Sequence, residues 1–164
     1  SGELPQVELV KVISSKEGAF ALERAAKAGI PTAVAKEQAD VLNELKACGT
    51  ELIVLAGYMK VLSEEIIKEY RNRIINIHPS LIPKYCGKGF YGIRVHNAVI
   101  AGGETESGAT VHYVDEGVDT GEIILQRKVP VEPGDTPEEL AARVLKVEHV
   151  ILAEGLKIAI DNLK

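Results

Sequence analysis

The chain has 164 residues, 46% of them hydrophobic and 26% charged, with 19 Lys and Arg against 24 Asp and Glu for a formal net charge of −5. These proportions exclude a disordered or fibrous polypeptide and suit one domain, residues 1–164, burying roughly two-thirds of its unfolded surface. The acidic balance leaves no footprint for general nucleic-acid binding, no apolar run approaches the ~20 residues that cross a bilayer, and no basic-then-apolar leader stands at Ser1.

Elements follow in alternation. Residues 7–13, Val-Glu-Leu-Val-Lys-Val-Ile, are rich in β-branched side chains and predict a strand. Residues 19–28 predict a helix stopped by Gly29 and Pro31, and 32–34 a brief strand. In 38–48 the apolar Val41, Leu42, Leu45 and Ala47 make a helical stripe that ends at Gly49. The run 51–55 suits a strand buried on both faces. Ser63 offers an N-cap to a helix reaching about Tyr70, with Glu64 and Glu65 in its first turn, where the dipole favours anions. A strand at 74–77, a helix at 95–101 and strands at 109–114 and 123–129 come next. Thr136-Pro137-Glu138-Glu139 is a capping box with proline at the first helical position, and it opens a long closing helix. This order predicts an α/β fold, a mostly parallel central sheet with helices on both faces. Ligands of such sheets lie beyond the carboxyl ends of the strands, which directs attention to the residues after Leu55, Ile77 and Val114.

Asn76-Ile77-His78-Pro79-Ser80 stands at one of those ends. Period-two alternation sends Asn76 and His78 to the same face, where an amide and an imidazole can stabilise one oxyanion and supply a proton. The same residues also suit a strand end that merely hydrogen-bonds a turn. Residues 115–121, Asp-Glu-Gly-Val-Asp-Thr-Gly, read as a solvated hairpin or a cation-binding cluster, although the spacing does not match an EF-hand. A more specific use brings Asp119 against His78, favouring the charged ring and fixing its orientation. The loop 56–62 either offers backbone groups and apolar contact to a flat heteroaromatic ligand or tucks under the next helix. His112, between Val111 and Tyr113, reads as structural, and His96 and His149 as surface or pocket-edge residues of helices. Glu148, on the closing helix, reads as a solvated carboxylate. The four histidines have no zinc spacing. Cys48 and Cys86 make no disulfide framework or ordinary zinc site, and Cys86 has no partner marking it as a nucleophile. A cytoplasmic, metal-independent protein is expected.

Taken together, 76–85 (Asn-Ile-His-Pro-Ser-Leu-Ile-Pro-Lys-Tyr) and 115–121, with support from 21–25, 28–31 and 55–63, resemble the folate-dependent formyltransferases over nearly the whole chain. Within them, the likeness is to the branch that formylates glycinamide ribonucleotide in purine (IMP) biosynthesis. The resemblance implies a Rossmann-like formyltransferase fold and an enzyme that passes the formyl group of 10-formyltetrahydrofolate, its co-substrate, to the ribonucleotide's amine through a tetrahedral intermediate, with no metal. It implies Asn76, His78 and Asp119 as the catalytic trio. The folate would lie against Met59, Lys60, Val61 and Leu62, against Asn76, and against Asp115, Glu116, Gly117, Val118 and Asp119. Pro79 and Glu148 would meet the ribonucleotide, Glu148 at its amine. The implied partners are these small molecules, with neither nucleic acid nor membrane, in a monomer or homodimer.

Four departures from the family pattern stand out. The family opens with a further strand and a glycine-rich phosphate loop, expected to be missing here because nothing like them precedes Ser1. The connection from Pro31 to Gln38 is short, the loop 86–92 is long, and Leu145 stands where a glutamine is frequent. Two alternatives accompany this reading. Formyltetrahydrofolate hydrolases tend to carry a second histidine where Pro79 stands, which favours transfer. A folate-binding module without turnover is the other, if the phosphate loop is absent.

Overall fold

A computed structural model describes residues 4–163, so the leader position at Ser1 lies outside the described residues. In chain order the elements are β1 (Val12–Ser14), α1 (Phe20–Lys27), β2 (Thr32–Val34), α2 (Gln38–Ala47), β3 (Ile53–Leu55), α3 (Glu64–Glu69), β4 (Ile74–His78), α4 (Ile93–Ala101), β5 (Glu106–Tyr113), β6 (Ile123–Pro130) and α5 (Pro137–Asp161). They divide into two compact units. One holds residues 4–51 and Leu62–Glu69, the other Leu52–Val61 and 70–163.

In the first unit β1 and β2 pair in parallel, Val12 opposite Thr32. The strand expected over 7–13 begins only at Val12, because β2 offers a three-residue partner and a ladder extends no further than its neighbour. Helix α2 buries Val41 and Leu45, as its apolar stripe dictates, and Lys11 Nζ reaches Glu44 at 2.6 Å. Ser63 begins α3 as expected: its Oγ accepts from the Ile66 N–H at 3.5 Å, while its own N–H donates to Gln38 Oε1 at 3.0 Å. Ile66 and Ile67 are the buried residues of that helix.

The second unit is a four-stranded sheet in the order β3-β4-β5-β6. β3 and β4 are parallel, while β4–β5 and β5–β6 are antiparallel. The turn between β5 and β6 is too short for a parallel crossover, which takes a dozen or more residues, so the last two strands must alternate in direction. β3 is an edge strand. Its Ile53 is buried but Val54 is 37% exposed, so the expected burial on both faces holds on one only. Ile75, Val95, Val99, Val111, Leu140, Val144 and Ile151 form the core beneath α5. That helix opens with the capping box read from the sequence: Thr136 Oγ1 accepts from the Glu139 N–H at 3.3 Å, and Glu139 Oε2 accepts from the Thr136 N–H at 2.8 Å. No helix among the described residues is long and apolar enough to cross a membrane.

Candidate active site

Across the β4–β5 ladder Asn76 lies opposite His112, and His78 opposite Thr110. Residues directly opposite share a face, so these four side chains project to one side of the sheet, and Ile75, Ile77 and Val111 to the other. His78, Thr110 and His112 are all buried. On the other flank of β4, Leu55 stands opposite Asn76 in parallel register. The loop 56–61 therefore leaves the sheet at the end where Asn76 and His78 stand. Met59 and Val61 are exposed there, whereas Leu62 is buried.

The strand-end rule does not by itself deliver Asp119. β5 is antiparallel, so its carboxyl end lies at the amino end of β4, and the 115–121 loop must fold back. Asp115 Oδ1 ties that loop down by accepting from the Gly117 N–H at 3.0 Å and the Thr120 hydroxyl at 2.6 Å. Asp119 takes up a left-handed backbone, φ 57°, and Gly121 presses on the Tyr113 carbonyl so closely that no side chain would fit. Asp119 thereby reaches two rings: Oδ2 is 3.6 Å from His78 Nδ1, and Oδ1 is 3.6 Å from His112 Nε2. The Gly87 N–H donates to Oδ2 at 2.9 Å. Burial, the largest single influence on this carboxyl, opposes its charge; the His112 contact, the Gly87 N–H and the charges of both histidines together hold it below the ordinary value. Elsewhere on the loop Glu116 pairs with Arg71 at 2.7 Å, and Val118 is exposed.

His112, read from the sequence as structural, is buried and touches both Asp119 and Asn76. Its Nδ1 lies 2.7 Å from the Tyr113 carbonyl, which can only accept, so Nδ1 carries a hydrogen in either state of the ring; Nε2 accepts when the ring is neutral and donates when it is charged. Asn76 Nδ2 stands 3.1 Å from that Nε2. The ring thus sets which way the Asn76 amide points, and the second N–H of the amide remains for a ligand oxygen. The apolar neighbours of His112 hide this in the sequence. The signal that would have found it is the pairing register with Asn76.

His96 is also buried, so of its two expected places, surface or pocket edge, the surface one does not hold, and its Nδ1 has no partner among the described residues. Burial, with the charge of His78, pushes this ring below its ordinary value and keeps it neutral. His149 is exposed and Pro79 half-buried. Glu148 is half-buried on α5, and burial alone raises its carboxyl, so the expectation of a merely solvated group is corrected. The Cys86 thiol is pushed up by burial and by the Asp119 carboxylate, which keeps it protonated and a poor nucleophile. Among the described residues no group of three or more His, Cys, Asp or Glu side chains is arranged to hold a metal ion. An amide donor, an imidazole and a carboxylate on one sheet face are suited to stabilising negative charge on an oxygen and relaying a proton.

The family described as formyl transferase matches residues 1–156. A trifunctional purine biosynthetic protein adenosine-3 of Drosophila pseudoobscura pseudoobscura is 51% identical over 160 residues, covering 92% of this chain and 11% of its own length. The phosphoribosylglycinamide formyltransferase of Haemophilus influenzae is 41% identical, over 92% of this chain and 73% of its own. The crystal structure of phosphoribosylglycinamide formyltransferase from Anaplasma phagocytophilum matches with a TM-score of 0.87 at 38% identity, covering 94% of this chain and 74% of that one. The chain spans about a tenth of the trifunctional relative.

Proposed function

The chain belongs to the formyl transferase family, and on that premise we propose that it transfers the formyl group of 10-formyltetrahydrofolate to the amine of glycinamide ribonucleotide in purine biosynthesis. The observation that carries this reading is the Asp119 carboxylate between the His78 and His112 rings, with Asn76 held by the second of them. The amine attacks the formyl carbon and forms a carbon–nitrogen bond, and the carbonyl electron pair moves onto oxygen. The free N–H of Asn76 and the protonated His78 ring stabilise that oxyanion. As the oxyanion collapses, the bond to the folate nitrogen breaks, and the amine's proton passes to that nitrogen through water held by Asp119. No covalent enzyme intermediate is needed.

The folate is assigned to Met59, Lys60, Val61 and Leu62, to Asn76, and to 115–119; exposed apolar side chains at Met59, Val61 and Val118 support a flat ligand there. Pro79 and Glu148 are assigned to the ribonucleotide. A half-buried carboxyl raised by burial is suited to an amine, whose charge it would compensate. The reading takes 1–164 as one catalytic domain, supported by the family match over 1–156. It also takes the protein as cytoplasmic, supported by two free thiols, and as a monomer or homodimer acting on small molecules without nucleic acid or membrane.

The test is formation of formylglycinamide ribonucleotide from the two substrates. His78→Ala is expected to lower kcat about 100-fold or more while folate affinity stays within about threefold. Equal loss of binding and turnover would make His78 a ligand or structural residue instead. Formate release without the amine acceptor would point to hydrolysis, and folate binding with no product to a non-catalytic module.

A further inference from the structure

His78 closes β4 with its ring almost wholly enclosed, and each ring nitrogen has a distinct neighbour. Nε2 lies 2.9 Å from the carbonyl oxygen of Tyr85. That oxygen can only accept, so Nε2 bears a hydrogen in both the neutral and the charged ring. Nδ1 is the nitrogen turned toward Asp119, and it is the one that gains or loses a proton. Which nitrogen works is therefore decided by a backbone carbonyl seven residues along the chain.

That carbonyl is not placed by regular structure. After Pro79 the chain leaves the sheet, and Tyr85 adopts φ 53°, a left-handed conformation that a bulky residue keeps only when its surroundings demand it. The ring of Tyr85 is fixed on the outer side: its hydroxyl donates to Glu104 Oε1 at 3.0 Å, and Phe90 meets it edge-on. On the inner side the constraint is Ser80, 1% exposed, whose Oγ lies 2.7 Å from the Lys84 carbonyl and 3.2 Å from that of Tyr85. Ser80 is itself anchored to β5, since its carbonyl accepts the Thr110 hydroxyl at 2.6 Å.

We propose that Ser80 is a positioning residue: by donating its one hydrogen to the Lys84 carbonyl, with the adjoining Tyr85 carbonyl sharing it at 3.2 Å, it fixes the hydrogen of His78 on Nε2 and keeps Nδ1 toward Asp119. The proposal rests on the reading of His78 as the group that meets the formyl oxygen, but it concerns the ring before any substrate binds. A hydroxyl that merely stabilised the turn would affect folding and leave the ring unchanged.

Nitrogen-15 NMR of the His78 ring in the unliganded protein, at about pH 8 where an ordinary histidine is neutral, separates the two roles. The wild-type protein is expected to show the hydrogen on Nε2. In Ser80→Ala the spectrum of the neutral ring should shift toward a mixture of both tautomers, and kcat should fall about tenfold or more with KM within about twofold, since a ring no longer held in place meets the oxyanion less well while substrate binding is kept. Ser80→Thr, which keeps the hydroxyl, should restore the wild-type ring pattern. A Ser80→Ala protein with an unchanged ring spectrum would overturn the proposal, whatever its kcat. Should that variant not fold, the wild-type spectrum decides: hydrogen on Nδ1 overturns the assignment and hydrogen on Nε2 sustains it. A shifted ring in a protein with no transferase activity would sustain the positioning role and defeat the proposed function.

Discussion

Asp119 sits where burial would neutralise it, and the Gly87 N–H with two histidine rings reverses that balance. Its folded carboxyl is held below the ordinary value of 3.8, so the native state binds fewer protons than the unfolded chain. The stability this group contributes is complete above that value and is lost as pH falls through the depressed folded one. Asp119→Asn should therefore be less stable than wild type near neutrality, with the gap in Tm narrowing as pH is lowered to about 3. A gap that stays constant across that range would mean that the carboxylate has no charged partners in the native state. Asn76 and His78 are legible in the sequence because two residues of spacing on one strand fix a shared face. Asp119 is legible only as one carboxylate of a loop, since its reach depends on a left-handed backbone and on the approach of Gly121 to Tyr113. His112 is not legible at all, because pairing register is a property of two strands and neither carries it alone.

Among the elements, α5 announces itself most clearly: proline at its first position, a reciprocal cap and a long apolar stripe all agree. What the stripe does not reveal is how closely the helix approaches β5. Gly155 lies over Val111, and a Cβ there would stand 2.7 Å from Val111 Cγ1 and 3.0 Å from its Cβ. Two effects compete in Gly155→Ala. Alanine favours the helix by about 1 kcal/mol, but forcing a methyl into a filled core costs about 1–3 kcal/mol. Val111 is fully buried and both of its methyl groups crowd the site, so overpacking should win and urea unfolding should record a net loss of up to about 2 kcal/mol. Adding Val111→Ala should bring a smaller cost in the Gly155→Ala background than in wild type. A Gly155→Ala protein more stable than wild type would refute the close contact. Strand ends are less legible than helix caps. β5 starts at Glu106, three residues before its apolar run, because Ser107 and Gly108 pair with Val129 and Lys128 of β6 whatever their propensity. β1 is cut short for the opposite reason, lacking a partner along its first residues.

At the scale of the whole chain, alternating strands and helices are enough to read an α/β fold, but they do not say which strand lies beside which. Among the described residues six strands form a parallel pair of three-residue strands and a four-stranded mixed sheet. Two short strands bury little and hold few ladder hydrogen bonds, so their order depends on helix α1, which packs against both. The larger sheet has fully buried Ile75 and Val111 at its centre and a 25-residue helix across one face. Local opening free energies should follow that difference, since they scale with buried apolar contact and with shielding of backbone hydrogen bonds. Amide hydrogen exchange at neutral pH should find the amides of Val12–Ser14 and Thr32–Val34 opening at clearly lower free energy than those along β4 and β5, which should approach the global value. Equal protection in the two sets would mean that both sheets open in one cooperative step. The proposed catalytic residues Asn76 and His78, with His112 beside them, stand on the strands expected to open last, where side chains are best held at fixed separations, while Asp119 is supplied by a loop whose place depends on a few hydrogen bonds.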